Sequence, residues 1–251
     1  MRHRFWRYRF KSEAPSIRFL RNAPLSGCTL IDVGANKGIY SYYMSRQAGP
    51  AGAVLAFEAQ PELIPHLEAL KASFHLDNLT VVPHGLSSRP GTLTLRRAKA
   101  GSGMAGFPHR GDAALEALPV PVTTLDDYLT DTEAQLPAVR FVKCDVEGHE
   151  LDVFKGGQKL LETQGPALMF ECHDRAAREG RLFAWLVSLG YDGWFFQVDP
   201  RHHRSVVLSG RGRWLHHSCF AGHPYPRPGV RHRNYLFLTA DDPLRPLLAA
   251  A

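Results

Sequence analysis

Cysteine is scarce in this chain: four among 251 residues, Cys28, Cys144, Cys172 and Cys219, far apart and without a CxxC pair. That excludes a disulfide-stapled scaffold and the paired-cysteine zinc templates. Two of the thiols lie inside apolar runs and read as buried, which suits a reducing compartment. No apolar run approaches the ~20 residues that a membrane-spanning helix needs. The opening MRHRFWRYRF is basic and aromatic without a small-residue cleavage site, so it does not read as a secretory signal. Two phosphate-binding fingerprints are missing as well. Counted from Gly34, the pattern GxGxxG meets Asn36 and Ile39 where glycines are required, and Ile39 also spoils GxxxxGK[ST]. The expectation left standing is a cytoplasmic globular protein, and an NAD-dependent oxidoreductase is disfavoured.

What is present points to a folded domain. Hydrophobic residues make up 44% and charged residues 22%, enough for a substantial core and too apolar for wholesale disorder. Thirty Lys and Arg against 24 Asp and Glu leave a net charge of +6, which suits anionic partners without specifying a fold.

Residues 1–24 read as a basic N-terminal extension, broken by Pro15 and Pro24, with order expected from Thr29 onward. Short β-branched runs at Thr29 to Val33, Ala53 to Glu58, Leu79 to Val82, Thr92 to Arg96, Val120 to Leu125, Val139 to Val146 and Ala167 to His173 predict strands. Helical patterns follow several of them: Ile39 to Ala48; a stretch opened by Pro61 with Leu63, Leu67, Leu70 and Phe74 on one face; and a stretch with Leu182, Trp185, Leu186 and Leu189 on another. A helix through Leu151 and Phe154 is interrupted by Gly156 and Gly157, and Asp174 is a candidate N-cap. Gly193 to Val198 and Tyr235 to Thr239 predict a closing strand pair. Strands alternating with helices predict a doubly wound α/β domain, a mostly parallel sheet with a terminal antiparallel strand. The expected organisation is the extension, one domain over 25–240 and a tail over 241–251. Within the domain, 99–118 is a candidate lid or binding loop and 200–233 a basic, histidine-rich insert.

In such sheets ligands bind beyond the carboxyl ends of the strands, so the residues there carry the chemistry. The first strand runs into Asp32-Val-Gly-Ala-Asn-Lys-Gly38, a DxGxNxG turn of the kind that S-adenosylmethionine-binding Rossmann-like domains use. Its glycines allow a tight turn and leave a ligand close to backbone N–H groups. Glu58 ends the second strand, where a carboxylate can accept from ribose hydroxyls. Lys143 and Asp145, two apart near a strand end, and Glu171 and His173 on the next strand predict a charged cluster, with Glu150 either joining it or capping a helix.

IDVGANKG, FEAQP, VTTLDDYL, FVKCDVEGHELDVFKGG and MFECH, in that order, resemble the FkbM-type methyltransferase family over roughly Thr29 to His173. The resemblance implies a Rossmann-like class I methyltransferase fold and S-adenosyl-L-methionine as cofactor. It also implies transfer of a methyl group to a hydroxyl oxygen of a sugar, glycan or other polyhydroxylated secondary metabolite. It assigns Asp32, Gly34, Asn36 and Gly38 to the methionine part of the cofactor, Glu58 to its ribose, and Asp145 to the neighbourhood of sulfonium and acceptor.

A hydroxyl attacks only after losing its proton, so a general base is expected among Asp145, His149 and His173. His173 has the most suitable unperturbed pKa, Asp145 stands where the methyl group should be, and His149 opens a helix. No metal site is expected: His202, His203, His216, His217, His223 and His232 fit no zinc template, and Arg201, Arg204, Arg211 and Arg213 would repel a cation. That insert reads instead as a basic cover over an anionic acceptor or as a plain solvated loop. The aromatic residues Phe5, Trp6, Tyr8 and Phe10 among arginines suit contact with nucleic acid or a membrane, or more commonly a cover over the domain or a contact in a homodimer. Two rival readings stay open, a nucleic-acid methyltransferase and a methyltransferase-like binding module without activity. The first is disfavoured because Asp145-Val-Glu-Gly replaces the Asn- or Asp-Pro-Pro-aromatic element of amino-group methyltransferases.

Overall fold

A computed structural model describes residues 13–103, 105–107, 115–132, 136–172, 180–198, 212–216 and 234–249. The chain divides into two compact units, Leu25–Pro166 and a second made of Met1–Pro24 with Ala167–Ala251.

The first unit is built on parallel strands in the order β7-β1-β2-β3: β1 (Thr29–Val33), β2 (Ala53–Phe57), β3 (Leu79–Val82) and β7 (Val139–Cys144). All five residues of β1 are buried, as expected of a central strand covered on both faces. Leu30, Ile31, Val54, Ala56, Phe141 and Val142 are fully buried, and each large side chain among them contributes on the order of 1.5–3 kcal/mol. Helix α1 (Ala14–Asn22) belongs to the second unit; α2 (Ile39–Ala48) connects β1 to β2, and α3 (Ile64–Phe74) connects β2 to β3. Pro65 sits in the first turn of α3, after a separate 3-10 turn over Pro61–Leu63. A proline there loses no hydrogen bond, because first-turn N–H groups have no intrahelical acceptor. The order of these strands makes a Rossmann-like sheet whose direction of winding reverses at β1, between β2 and β7.

A second, three-stranded sheet in the same unit has the order β4-β6-β5, from β4 (Gly85–Leu86), β5 (Gly91–Arg97) and β6 (Glu116–Thr123). The predicted strand Val120 to Leu125 is therefore displaced: it begins inside the expected 99–118 loop, and Leu125 opens α4 (Leu125–Thr132). Pro119 and Pro121 both lie inside β6. They pair with Thr94 and Thr92 of β5, while β4 meets β6 further on, at Val122 and Thr123, so neither missing N–H disrupts a two-sided ladder. After β7 come α5 (Glu150–Lys155) and α6 (Gln158–Gln164), divided at Gly156 and Gly157. A Cβ on Gly156 would stand 2.1 Å from the Ser87 carbonyl oxygen, so that division is enforced by a close backbone approach.

The second unit contains β8 (Ala167–Glu171), β9 (Tyr191–Val198), β10 (Gly212–His216) and β11 (Asn234–Thr239) in the order β10-β9-β11-β8, every adjacent pair antiparallel. The closing pair expected from sequence is thus joined by β10, a strand within the 200–233 segment. Helix α7 (Arg181–Ser188) buries Leu182, Phe183 and Leu186. Order also begins earlier than Thr29. Ala14–Asn22 forms α1, with Pro15 in its first turn and Ile17, Phe19 and Leu20 buried, and Phe19 meets Trp214 edge-on at 5.6 Å. The arginine count of this segment obscured an apolar stripe that needs a partner surface. No helix among the described residues is long and apolar enough to cross a membrane.

Candidate functional site

A cleft of the first unit opens at the carboxyl ends of β1, β2 and β7 and encloses about 520 Å³, counting its open mouth. Val33, Gly34 and Asn36 line it from β1, Phe57 to Gln60 from β2, and Asp145 and Val146 from β7. His84, Leu86 and Leu95 add to its sides, and Ser102, Gly103, Ala105 and Phe107 form a wall from the β5–β6 connection. Gly34, Asn36, Glu58 and Asp145, all singled out in the sequence, therefore meet here although they are up to 111 positions apart (145 − 34 = 111).

Glu58 is 5% exposed, and both its carboxylate oxygens are held by backbone donors. The Asn36 N–H donates to Oε2 at 2.7 Å and the Gln60 N–H donates to Oε1 at 2.8 Å. Burial raises its pKa above the ordinary carboxylate value, and the two N–H donors oppose that rise. Each oxygen has a further lone pair, so the group can still accept from a ligand in the cleft. Asn36 reaches this position with φ +50, a left-handed conformation that asparagine tolerates better than most residues.

The glycine turn works differently from the expectation. The N–H groups of Gly34 and Ala35 both donate to the Phe57 carbonyl at the end of β2, and that of Gly38 donates to Ala35, so these donors are spent within the fold. Glycine is required at 34 because φ is +74 and an added Cβ would lie 2.1 Å from the Asp145 carbonyl oxygen. Gly38 faces the Leu67 and Leu70 side chains of α3 rather than the cleft.

Asp32 is likewise withdrawn from the cleft. It is 2% exposed and accepts from Ser41 Oγ at 2.5 Å. Burial lifts its pKa from 3.8 to about 6, against the opposing pull of Ser41 and Lys143. Lys143, its register partner on β7, is 1% exposed. The Lys143 ammonium stands 3.6 Å from Asp145 Oδ2, donates to the Cys144 carbonyl at 3.4 Å and lies 5.1 Å from the Tyr40 ring centre. Asp145 follows the end of β7, and its side chain is 38% exposed at the cleft. Two residues on, Glu147 adopts φ +55, and Glu150 turns its carboxylate back to accept from the Gly148 N–H at 3.0 Å. Glu150 thus acts as a cap rather than facing the cleft.

His149 is not among the cleft-lining residues. Its Nε2 is 3.0 Å from Ser87 Oγ and its Nδ1 is 3.6 Å from Asp152, while its ring packs at 4.7 Å against Phe107, which does line the cleft. Glu171 ends β8 in the second unit. His173 and Asp174 lie outside the described residues, as does most of the 200–233 segment.

Sequence reasoning missed Gln60, His84 and Arg97. Gln60 has a local signal, since it stands two positions after Glu58. Arg97 has none, because its partners come from separate elements: Glu62 at 2.7 Å and Glu116 at 3.0 Å.

The family model for the methyltransferase FkbM domain matches residues 32–192. The hexuronic acid methyltransferase AglP of Haloferax volcanii is 30% identical over 162 residues, which cover 63% of this chain and 62% of that protein. A crystal structure of methyltransferase FkbM from Methylobacillus flagellatus KT superposes with a TM-score of 0.50 at 16% identity, over 84% of this chain and 44% of that one. That likeness concerns the fold alone. The chain spans less than two thirds of the length of either relative. With the family match spanning the glycine turn, Glu58 and Asp145, this chain belongs to the FkbM methyltransferase domain family.

Proposed function

We propose that this chain is an S-adenosylmethionine-dependent O-methyltransferase whose acceptor is a hydroxyl of an anionic sugar, a hexuronic acid within a glycan. The observation that carries the reading is the buried Glu58 carboxylate, held open-faced by two backbone N–H groups in a cleft at the sheet's reversal point. The acceptor class is suggested by the relative described as a hexuronic acid methyltransferase.

The cleft suits the cofactor. A carboxylate with free lone pairs meets the needs of two ribose hydroxyls, and Phe57, Ala59, Leu86 and Leu95 offer an apolar flank for an adenine ring. Gly34, Asn36 and Asp145 would border the methionine part. When bound, S-adenosylmethionine supplies an electrophilic methyl group on a sulfonium. The residues of the chain then have alignment as their main task, which can contribute on the order of 7–11 kcal/mol. Asp145 orients the acceptor hydroxyl and takes its proton, held in place by the Lys143 ammonium 3.6 Å away. A base so placed contributes roughly 10² to 10⁴-fold. His173 is the competing base. His149, with both ring nitrogens turned to Ser87 and Asp152, instead supports the cleft wall through Phe107.

The test has two arms. S-adenosylhomocysteine, the demethylated product, should stabilise the protein against heat; at 100 times its dissociation constant the gain is about 2.7 kcal/mol. Incubation with S-adenosylmethionine and hexuronate-containing oligosaccharides should yield a product heavier by one methyl-for-hydrogen exchange. An unshifted melting curve would refute the cofactor reading. Binding of RNA or DNA that is tight and falls steeply with salt would favour the nucleic-acid alternative.

A further inference from the structure

Arg97 ends β5 with a guanidinium that is almost wholly buried, the residue being 2% exposed. All five of its N–H donors have an acceptor. Nη1 and Nη2 each donate to Glu62 at 2.7 Å, and Nε and Nη2 each donate to Glu116 at 3.0 Å. The remaining Nη1 donor faces Gln60 Oε1 at 3.5 Å. Glu62 is held well below its usual pKa, at about 2, because Arg97 binds its ionised form. None of these three contacts is local: Arg97 joins the turn after β2 and the start of β6 to the end of β5.

Arg97 does not line the cleft, but one of the three groups it contacts, Gln60, does. Gln60 lines the cleft and reaches three ways: its N–H supports Glu58 Oε1 at 2.8 Å, its Nε2 donates to the Ser102 carbonyl at 3.0 Å, and its Oε1 meets Arg97. Ser102, in turn, belongs to the wall that leaves β5 directly after Arg97. The wall is pinned again where Arg96 and Gly106 exchange two backbone hydrogen bonds at 2.8 and 3.0 Å. A closed ring of contacts therefore runs from Arg97 along the wall to Ser102, across to Gln60 and back.

We propose that Arg97, acting through Gln60, is a positioning residue for the nucleoside part of the cofactor: it fixes the wall at Ser102 and Gly103 and the Glu58 carboxylate as one rigid pair. This rests on reading the cleft as the S-adenosylmethionine site. A guanidinium is required, because a lysine ammonium is a single point charge and cannot span two carboxylates and an amide at once.

The experiment measures S-adenosylhomocysteine affinity by titration calorimetry on the full chain, beside the ligand-free melting temperature, for Arg97→Lys, Gln60→Leu and the double variant. Gln60→Leu keeps the backbone N–H on Glu58 and removes only the side-chain contacts, so it reports even where Arg97→Lys folds poorly. Each single variant should weaken binding about tenfold, and the double variant little further, since both break the same ring. Gln60→Leu should do so with little change in melting temperature, which a purely structural role would not produce. Wild-type affinity in Gln60→Leu, or losses that multiply to about a hundredfold in the double variant, would overturn the coupling. If the wild-type chain itself binds no S-adenosylhomocysteine, the reading of the cleft fails, and this inference fails with it.

Discussion

Two glycines of the first unit share a backbone conformation but differ in what surrounds them, which allows the close approach at the cleft to be weighed separately. Gly27 has φ +75 with nothing within 4 Å of an added Cβ; Gly34 has φ +74 with the Asp145 carbonyl oxygen 2.1 Å away. Replacing either by alanine forces an L-residue into the left-handed region, which costs roughly 1–2 kcal/mol. For Gly27→Ala that is the whole penalty. Gly34→Ala must also push back the main chain at Asp145, whose N–H donates to the Val33 carbonyl at 3.0 Å. Overpacking of this kind adds roughly 1–3 kcal/mol, for a total of about 2–5 kcal/mol. Urea unfolding of both variants and the wild type measures the difference. Gly34→Ala should also lose most of its affinity for S-adenosylhomocysteine, because the displaced main chain at Asp145 and Val146 lines the cleft and would narrow it, whereas Gly27→Ala should bind normally. Equal stabilities of the two alanine variants would refute the account of why glycine stands at 34.

Other perturbations address the charged groups. Asp32 holds its proton more tightly folded than unfolded, about 6 against 3.8, so its ionisation removes stability as pH rises through that window, by about 3 kcal/mol. Asp32→Asn should remove this slope; a wild-type-minus-variant stability difference that stays constant from pH 4 to pH 7 in urea titrations would contradict it. Glu58→Gln turns a carboxamide NH₂ toward one of the N–H groups of Asn36 and Gln60 and weakens the ribose contacts. Calorimetry should find S-adenosylhomocysteine bound about 10- to 100-fold more weakly, as expected for losing a hydrogen bond to a charged group. Asp145→Asn should lower turnover by on the order of 10²–10⁴-fold while product binding changes little. His149→Phe, which keeps an aromatic ring against Phe107, should reduce initial rates far less than Asp145→Asn; an equal loss would restore His149 as a candidate base.

Much of the first unit was legible in the chain because its signals are local. A β-branched run before a glycine turn marked β1, and short apolar runs marked β2, β3 and β7. Glu58 and Asp145 were found because a strand's carboxyl end is a position that can be counted from the run itself. The second sheet was harder to read. The first half of β6, Glu116 to Pro119, was not legible, since a proline is harmless only where its neighbour strand is absent on the N–H side, and that depends on β4 stopping short. Arginines hid α1, whose apolar stripe has meaning only against Trp214 and its surroundings.

By itself the sequence determined the α/β alternation, the family and the chemistry gathered at the strand ends, because hydrophobic period and turn residues act over a few positions. Tertiary structure alone decided how each polar side chain is used. Asp32 faces Ser41 inside the domain, His149 faces Ser87, and Gly34 makes room for the backbone of Asp145. Arg97 binds Glu62, 35 positions away, and Glu116, 19 positions away. The physical reason is that a hydrogen bond or a steric limit depends on distances of a few ångströms, and those distances exist only once the strands are side by side.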